Sequence, residues 1–385
     1  MNELETLRNE IDQIDSELLP LFLKRMECSK KVAEYKRKNN LPVLDKSREK
    51  QILDHKASMI PLDKASFVRD FFSEIMAISR KAQRQLLSDG NLENSLFEGF
   101  DQCSLKENPT VVFQGVAGAN SETALMKIFG DDTKRINVMT FAETLDALQE
   151  GQADYAVLPF ENSSTGSISG VFDLLENREL YIVSEMDVSI SHCLVAPKSA
   201  TLDSIREVYS HEQGYLQCKE FFKNYPKMKF SAYHNTALAA KYVAGLGDTS
   251  VAAIADKRTA KIYGLRVLAE NISTTQNNVT RFVVIAKRGI VNENCNKISV
   301  LLTLQNESGA LCQILSEFKN SGLNLVKIES RPRHDRNFEY MFFIDFEGNL
   351  LDDNVQTVIS AIQENTTQLK ILGNYHAVSY PSERL

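Results

Sequence analysis

The first 88 residues contain no glycine, and no other feature of the sequence limits the fold as sharply. Glycine enters left-handed turns without steric cost, so a stretch lacking it has few places to reverse tightly. Within it Leu4, Leu7, Ile11, Ile14, Leu18 and Leu21 recur at steps of three and four, the spacing of one helical face. This spacing predicts a helix to about Lys38, stopped by Asn39-Asn40-Leu41-Pro42. Asp45 is placed to cap a second helix through Lys56. Pro61 opens a third, with Phe67, Phe71, Ile75 and Ile78 on one face.

Three such helices make too small a core to be comfortable alone. Their charges point the same way. Arg25 and Lys36, 11 residues apart, share a face at a separation of about 16 Å. Arg8 precedes Lys36 by 28 residues, about 42 Å along a straight helix. One helix cannot bring all three to a small ligand, whereas an antiparallel partner helix sets a second Arg8 beside Lys36. The expected assembly is an intertwined helical homodimer, or a higher homo-oligomer built on it.

The pattern then changes twice. Residues 1–90 form the helical domain, and 91–108 dissolve into Gly, Asn, Asp and Ser, a linker. Residues 109–288 alternate strands such as TVVFQG, DYAVLPF and FVVIAK with helices, which is α/β order. Residues 297–385 spell β-α-β-β-α-β, the ferredoxin-like α+β order. The expected fold is therefore multidomain: all-α, then α/β, then α+β.

Composition removes several classes of function. A net charge of −7 argues against a general nucleic-acid binder. The start MNELETLRNE is charged from its third residue, unlike a signal peptide, and no apolar run approaches the roughly 20 residues of a membrane span. The six cysteines and six histidines are scattered, without metal-ligand spacing. The expectation is a cytoplasmic protein with no metal, no cofactor and no membrane or nucleic-acid partner.

Arg48 and Glu49 follow Asp45, and Ser79 and Gln83 stand one turn apart on the third helix. Together R-x16-R-x10-K, D-x-x-R-E and S-x-x-x-Q resemble the all-helical chorismate mutases, with every polar position filled. The resemblance implies the rearrangement of chorismate to prephenate. That step needs no acid or base, only donors preorganised around a dianion and around an ether oxygen that gains charge. Carried over residue by residue, it gives carboxylates to Arg25, Arg48 and the other protomer's copy of Arg8. The ether oxygen goes to Lys36 and Gln83. Asp45 and Glu49 take the substrate hydroxyl and neighbouring cations, with Ser79 in support.

In the α/β segment the loop GVAGANSE lacks the G-K-[ST] of a phosphate cradle, and its plain reading is a strand–helix turn capped by Ser121. DYAVLPFENSSTG, YSHEQGYLQC and NNVTRF, in this order, resemble the prephenate dehydratases over nearly all of 109–288. The implied fold is two α/β lobes around a cleft, as in periplasmic binding proteins, crossed near Asp187–Ser191 and Glu270–Ser273. The implied reaction removes carbon dioxide and water from prephenate to leave an aromatic ring. By resemblance Thr280 protonates the departing hydroxyl, with Glu161 or His211 as its partner. Arg281 takes a carboxylate and Phe282 walls the cleft, while Asn162, Ser163, Ser210 and Gln217 orient the substrate. Ala119-Asn120 stand where the family has a Ser or Thr and then an aromatic residue.

Gly309-Ala310-Leu311 and Glu329-Ser330-Arg331-Pro332 resemble the G-A-L and E-S-R-P motifs of ACT-type regulatory domains. That resemblance implies L-phenylalanine as an inhibitor bound where the two motifs meet across a dimer interface. The chain as a whole looks like a bifunctional chorismate mutase–prephenate dehydratase. Two other readings stay open on the residues alone. One is a dehydratase whose helices serve only to dimerise, the other a non-enzymatic amino-acid sensor, which predicts neither the Arg/Lys/Gln set nor T-R-F.

Overall fold

The computed structural model describes residues 2–87, 97–275, 277–332 and 340–377. The chain divides into two compact units, Met1–Glu98 with Val300–Lys370 and Gly99–Ser299 with Ile371–Leu385.

The first unit opens with helices α1 (Glu3–Lys38), α2 (Lys46–Ser58) and α3 (Ala65–Leu87). The starts of α1 and α2 are set by polar side chains. Asn2 and Glu5 form a capping box on α1, and the Asp45 carboxylate accepts from the Arg48 amide at 2.9 Å on α2. The apolar stripe of α1 is not covered over its N-terminal half: Leu4, Leu7, Ile11, Ile14, Leu18 and Leu21 are 42–65% exposed.

In the second unit the strands run β1 (Phe100–Asp101), β2 (Thr110–Gln114), β3 (Lys134–Val138), β4 (Tyr155–Asn162), β5 (Gly166–Ser167) and β6 (Tyr181–Ser189). They continue as β7 (Cys193–Ala196), β8 (Glu207–Ser210), β9 (Lys229–Ala232), β10 (Val251–Ala255), β11 (Arg266–Ala269), β12 (Val279–Ala286) and β13 (Gly289–Ile290). One sheet has the order β3-β2-β4-β12-β6 with β5 beside β4, and the other β11-β7-β10-β8-β9. The chain leaves the first sheet after β6, builds the whole second sheet, and returns as β12 between β4 and β6, antiparallel to both. This is the two-lobed plan, with crossings close to where the sequence puts them. Ala124 and Leu125 of the helix Asn120–Phe129 share one core with Val111, Phe113, Val157, Phe282 and Val284. Each large side chain so buried contributes about 1.5–3 kcal/mol.

Residues 91–96 of the expected linker lie outside the described residues. Within its remainder, β1 pairs in parallel with β13, and Phe100 meets Tyr181 edge-on at 5.0 Å.

Strands β14 (Lys297–Leu304), β15 (Leu325–Pro332), β16 (Tyr340–Glu347) and β17 (Gln368–Tyr375) form a sheet of order β15-β16-β14-β17. The helices Ala310–Ser321 and Asp353–Asn365 complete the ferredoxin-like order. No helix among the described residues is long and apolar enough to cross a membrane.

Two candidate active sites

The first site lies among α1, α2 and α3. Arg25 donates to the Ser79 hydroxyl and, at 3.4 Å, to the Ile75 carbonyl. Burial draws the Arg25 guanidinium below its ordinary pKa, and Glu49 stands close enough to oppose that. Arg80, one residue after Ser79, holds both Glu49 oxygens at 2.6 Å. Asp45 is held below the usual carboxylate range by the Arg48 amide and the Ser47 hydroxyl, with Lys36 adding to them. Lys36 itself donates to the Val43 carbonyl at 2.6 Å. Gln83 is buried and its Oε1 has no hydrogen-bond partner. An orphan of this kind costs about 1–3 kcal/mol. The structure thus gathers Arg25, Glu49 and Ser79, with Lys36 and Asp45 around the α1–α2 turn; the Arg48 side chain is exposed. Arg8 stands apart, exposed near the start of α1. Sequence reasoning missed Arg80, which no motif marks.

The second site is a cavity of about 430 Å³ between the two sheets of the second unit. Gln114, Pro159, Asn162, Thr280 and Phe282 line it from one lobe, and His211, Gln213, Gln217, Asn235 and Thr236 from the other. His192 and Asn278 complete it where the chain crosses. Among the described residues that line it there is no Lys, Arg, Asp or Glu. Two helix N-termini open onto it, at Asn120–Ser121 and at Thr236. The expected cap at Ser121 is corrected: Ala119 occupies the N-cap, and the Ser121 hydroxyl donates back to the Gln114 carbonyl.

Hydrogen bonds in the cavity fix the directions of the Asn162, Gln217 and Asn278 amides. Asn162 Oδ1 accepts from the Ser164 amide at 3.0 Å, the Ser164 hydroxyl at 2.6 Å and the Thr165 amide at 3.2 Å. Its Nδ2 therefore faces the other way, donating to Thr280 Oγ1 and to Asn278 Oδ1, each at 2.8 Å. Gln217 Nε2 donates to Ser164 Oγ at 2.9 Å, which turns its Oε1 toward Asn278 Nδ2 and His192 Nε2, each at 2.9 Å. His192 must then carry its proton on Nε2. Burial pushes its pKa down, so the ring is held neutral. His192, Asn278 and Ser164 were not anticipated. His192 sits in a segment that reads only as the entry to a buried strand.

Two expectations for this cleft are corrected. Glu161 and Arg281 do not line it, and lie on the opposite face of the sheet from Thr280. On β12, alternation puts Thr280 and Phe282 in the cleft and Arg281 behind. On β4 a bulge intervenes: Arg281 pairs Glu161 but Phe282 pairs Pro159, so Phe160 is the extra residue. The bulge shifts the parity, bringing Asn162 opposite Thr280 and turning Glu161 away. Behind the sheet Arg281 meets Asp187 at 3.2 Å, Glu161 at 3.4 Å and Glu185 at 3.8 Å, and Lys297 meets Glu185 at 2.8 Å. Burial alone would lower the Arg281 pKa, but Glu185, Asp187 and Glu161 outweigh it and raise it. Ser163 and Ser210 also fall outside the lining. The Ser163 hydroxyl bridges the Asn277 carbonyl and the Val279 amide, and Ser210 is buried beneath Gly214.

Comparison with known proteins assigns families to the segments that hold the two sites. Residues 7–84 match the chorismate mutase type II family, 111–290 the prephenate dehydratase family and 298–364 the ACT domain. The chain is 32% identical over 395 residues to the bifunctional chorismate mutase/prephenate dehydratase of Buchnera aphidicola subsp. Schizaphis graminum, spanning 100% of this chain and 98% of that one. The chain belongs to the bifunctional chorismate mutase/prephenate dehydratase family. The Escherichia coli (strain K12) member is likewise 32% identical over 397 residues, 100% of this chain and 97% of its own. A solved prephenate dehydratase from Arthrobacter aurescens, in complex with L-Phe, matches with a TM-score of 0.64 at 31% identity, over 69% of this chain and 89% of that one.

The helical site accordingly falls in the mutase part of this family's chain, and the cleft in the dehydratase part. In the ACT fold, Gly309 adopts φ +85 as it enters the helix Ala310–Ser321, and no atom lies within 4 Å of where its Cβ would be. Gly309 and Ala310 line a cavity of about 170 Å³ with Lys46, Ser308, Gln313 and Thr366, while Leu311 is half-buried. Glu329, on the edge strand β15, meets Arg331 at 3.2 Å and Lys327 at 3.6 Å, and Ser330 and Pro332 are exposed at its end.

Proposed function

We propose that the enzyme rearranges chorismate to prephenate on its helices and converts prephenate to phenylpyruvate in its cleft, under feedback by L-phenylalanine. For the first step, Arg25, Arg48 and Arg8 of a second copy grip the carboxylates, and Lys36 and Gln83 stabilise the ether oxygen. Asp45 and Glu49, with Ser79 behind Arg25, orient the hydroxyl and the cations. The exposed stripe from Leu4 to Leu21 supports a homodimer that covers it and delivers the second Arg8.

For the second step, the observation that carries the reading is the direction of one hydrogen bond. Asn162 donates to Thr280 Oγ1, so the Thr280 oxygen accepts and its own proton is free to point into the cavity. A donor to that oxygen stabilises the developing alkoxide and makes the hydroxyl a better acid. Thr280 then protonates the leaving hydroxyl as carbon dioxide departs and the ring becomes aromatic. The two carboxylates sit at the helix N-termini by Asn120–Ser121 and Thr236, where backbone N–H groups and the helix dipole favour an anion. Phe282 walls the ring, Gln217 and His211 orient it, and Ser163 and Ser210 support the loop and helix behind it.

The Gly309 helix start suits a carboxylate, and Glu329 suits an ammonium group, which fits L-phenylalanine bound between two copies. Leu311, Ser330, Arg331 and Pro332 frame that site. Free cysteines suit a reducing, cytoplasmic setting. The test is to feed chorismate to the whole chain, with and without L-phenylalanine, and follow prephenate and phenylpyruvate separately. Both products are expected, with phenylpyruvate formation falling as L-phenylalanine rises. Absence of phenylpyruvate would refute the dehydratase assignment, and indifference to L-phenylalanine the regulatory one.

A further inference from the structure

Helix α3 carries Arg80 and Arg84 one turn apart, both nearly fully buried. Two like charges so placed repel, and burial removes the water that would screen them. Arg80 has Glu49 on α2, and the other neutralising partners come from the ACT fold. Arg84 meets Glu364 at 2.6 Å and Glu317 at 3.5 Å, and the other Glu317 oxygen lies 3.9 Å from Arg80. Lys81, between them in sequence, donates to the Asn320 carbonyl in the last turn of the Glu317 helix at 2.5 Å. The charges therefore alternate along a row: Glu364, Arg84, Glu317, Arg80, Glu49. Its last member belongs to the helical site.

We propose that Glu317, on the first ACT helix, is a positioning residue for the mutase site, acting through Arg80 to set the carboxylate of Glu49. Both Glu49 oxygens accept from Arg80 Nη1, so the place of that guanidinium fixes the place of the carboxylate. Glu317 stands between the two guanidiniums and offsets their mutual repulsion. Without its charge Arg80 is driven away from Arg84, and Glu49 moves with it. The inference rests on the assignment of Glu49 to the substrate hydroxyl. That hydroxyl is present in chorismate and in the transition state alike, so a misplaced Glu49 raises KM and spares kcat. General loosening of the helices would instead displace Lys36 and Gln83, which act on charge found only in the transition state, and would lower kcat.

The experiment uses the full chain and measures mutase kcat and KM for wild type, Glu317→Gln, Glu317→Asp, Arg80→Gln and the Arg80→Gln/Glu317→Gln pair. Dehydratase kcat on prephenate monitors the rest of the fold. Glu317→Gln is expected to raise KM on the order of fivefold, within the range of coupled neighbours, with kcat within about twofold of wild type. Glu317→Asp keeps the charge and should recover most of the loss. The double variant should have a KM no higher than Arg80→Gln alone, because both act through one carboxylate. An unchanged KM in Glu317→Gln, a fall in kcat in its place, or additive losses in the pair would each overturn the proposal. Glu49→Gln separates the two levels. If it leaves mutase kinetics untouched, the site assignment fails and the inference with it. If it raises KM while Glu317→Gln does not, only the inference fails.

Discussion

The two sites treat negative charge in opposite ways. In the roles proposed above, the helical site surrounds it with formal cations, Arg25, Lys36 and Arg48, whereas the cavity between the lobes is lined by amides, hydroxyls, two histidines and helix N-termini. The reactions explain the difference. The mutase step builds charge on an ether oxygen and loses nothing, so a fixed cation lowers the barrier throughout. The dehydratase step must let a carboxylate go. A guanidinium locked on it would stabilise the ground state as much as any later state and gain no rate. Formal charge is present near the cleft, but behind the sheet, where Arg281 and Lys297 are paired with Glu161, Glu185 and Asp187. One site uses charge for chemistry and the other for architecture.

The largest effects should come from exchanging catalytic groups. Lys36→Ala removes a cation from the ether oxygen and is expected to lower mutase kcat by about 10²–10³-fold while dehydratase activity persists. Thr280→Ala should do the reverse, with prephenate accumulating from chorismate. If either variant, still folded, lost both activities, the two-site comparison would break. Arg281→Gln sharpens it. Loss of this guanidinium removes the cation shared by Glu161, Asp187 and Glu185, so thermal unfolding should show a loss of about 1–3 kcal/mol, with kcat of the folded enzyme nearly unchanged. A kcat collapse at unchanged stability would put Arg281 back in the chemistry.

The smallest effect is one of pH. His192 has its folded-state pKa lowered by burial. Above about pH 6.5, the ordinary histidine value, both folded and unfolded chains are neutral there and nothing is lost. As pH falls below that value the unfolded chain takes up a proton that the folded chain refuses, and stability declines until the folded-state pKa is passed. His192→Gln should flatten that part of the melting-temperature profile. An unchanged profile would show that His192 is not held neutral.

Much of this was legible in the sequence because it depends on local rules. The three-and-four spacing that starts at Leu4, the Asp45 cap and the β-α-β-β-α-β order each follow from near neighbours along the chain. Of the polar set proposed for the mutase, Arg25, Glu49 and Ser79 fall together, their spacings along helices being rigid, while Arg8 stands apart. The cleft was read only in part. Thr280, Phe282, Asn162 and Gln217 were assigned to it, but Glu161 and Arg281 were placed on the wrong face. Phe160 is apolar and would be buried on either side, so nothing in ENSSTG marks the bulge that reverses the alternation. Arg80 and Glu317 stayed hidden for another reason. Their meaning lies in a contact between segments 237 residues apart, which no local pattern reports.

That single extra residue in β4 also decides which genetic changes this segment can survive. Substitution at Phe160 alters packing by degrees, and another large apolar side chain would serve. Loss of its codon is a different event. Pro159 would join Glu161 directly and regular alternation would return, with Asn162 still opposite Thr280 and Glu161 still opposite Arg281. A slip that seats Phe160 opposite Arg281 at unchanged length would instead bring the Glu161 carboxylate against Thr280. Over generations the stretch from Val157 to Asn162 is therefore free to vary in spelling and even to shed its bulge, whereas a slip of its pairing register would silence the dehydratase while sparing the mutase.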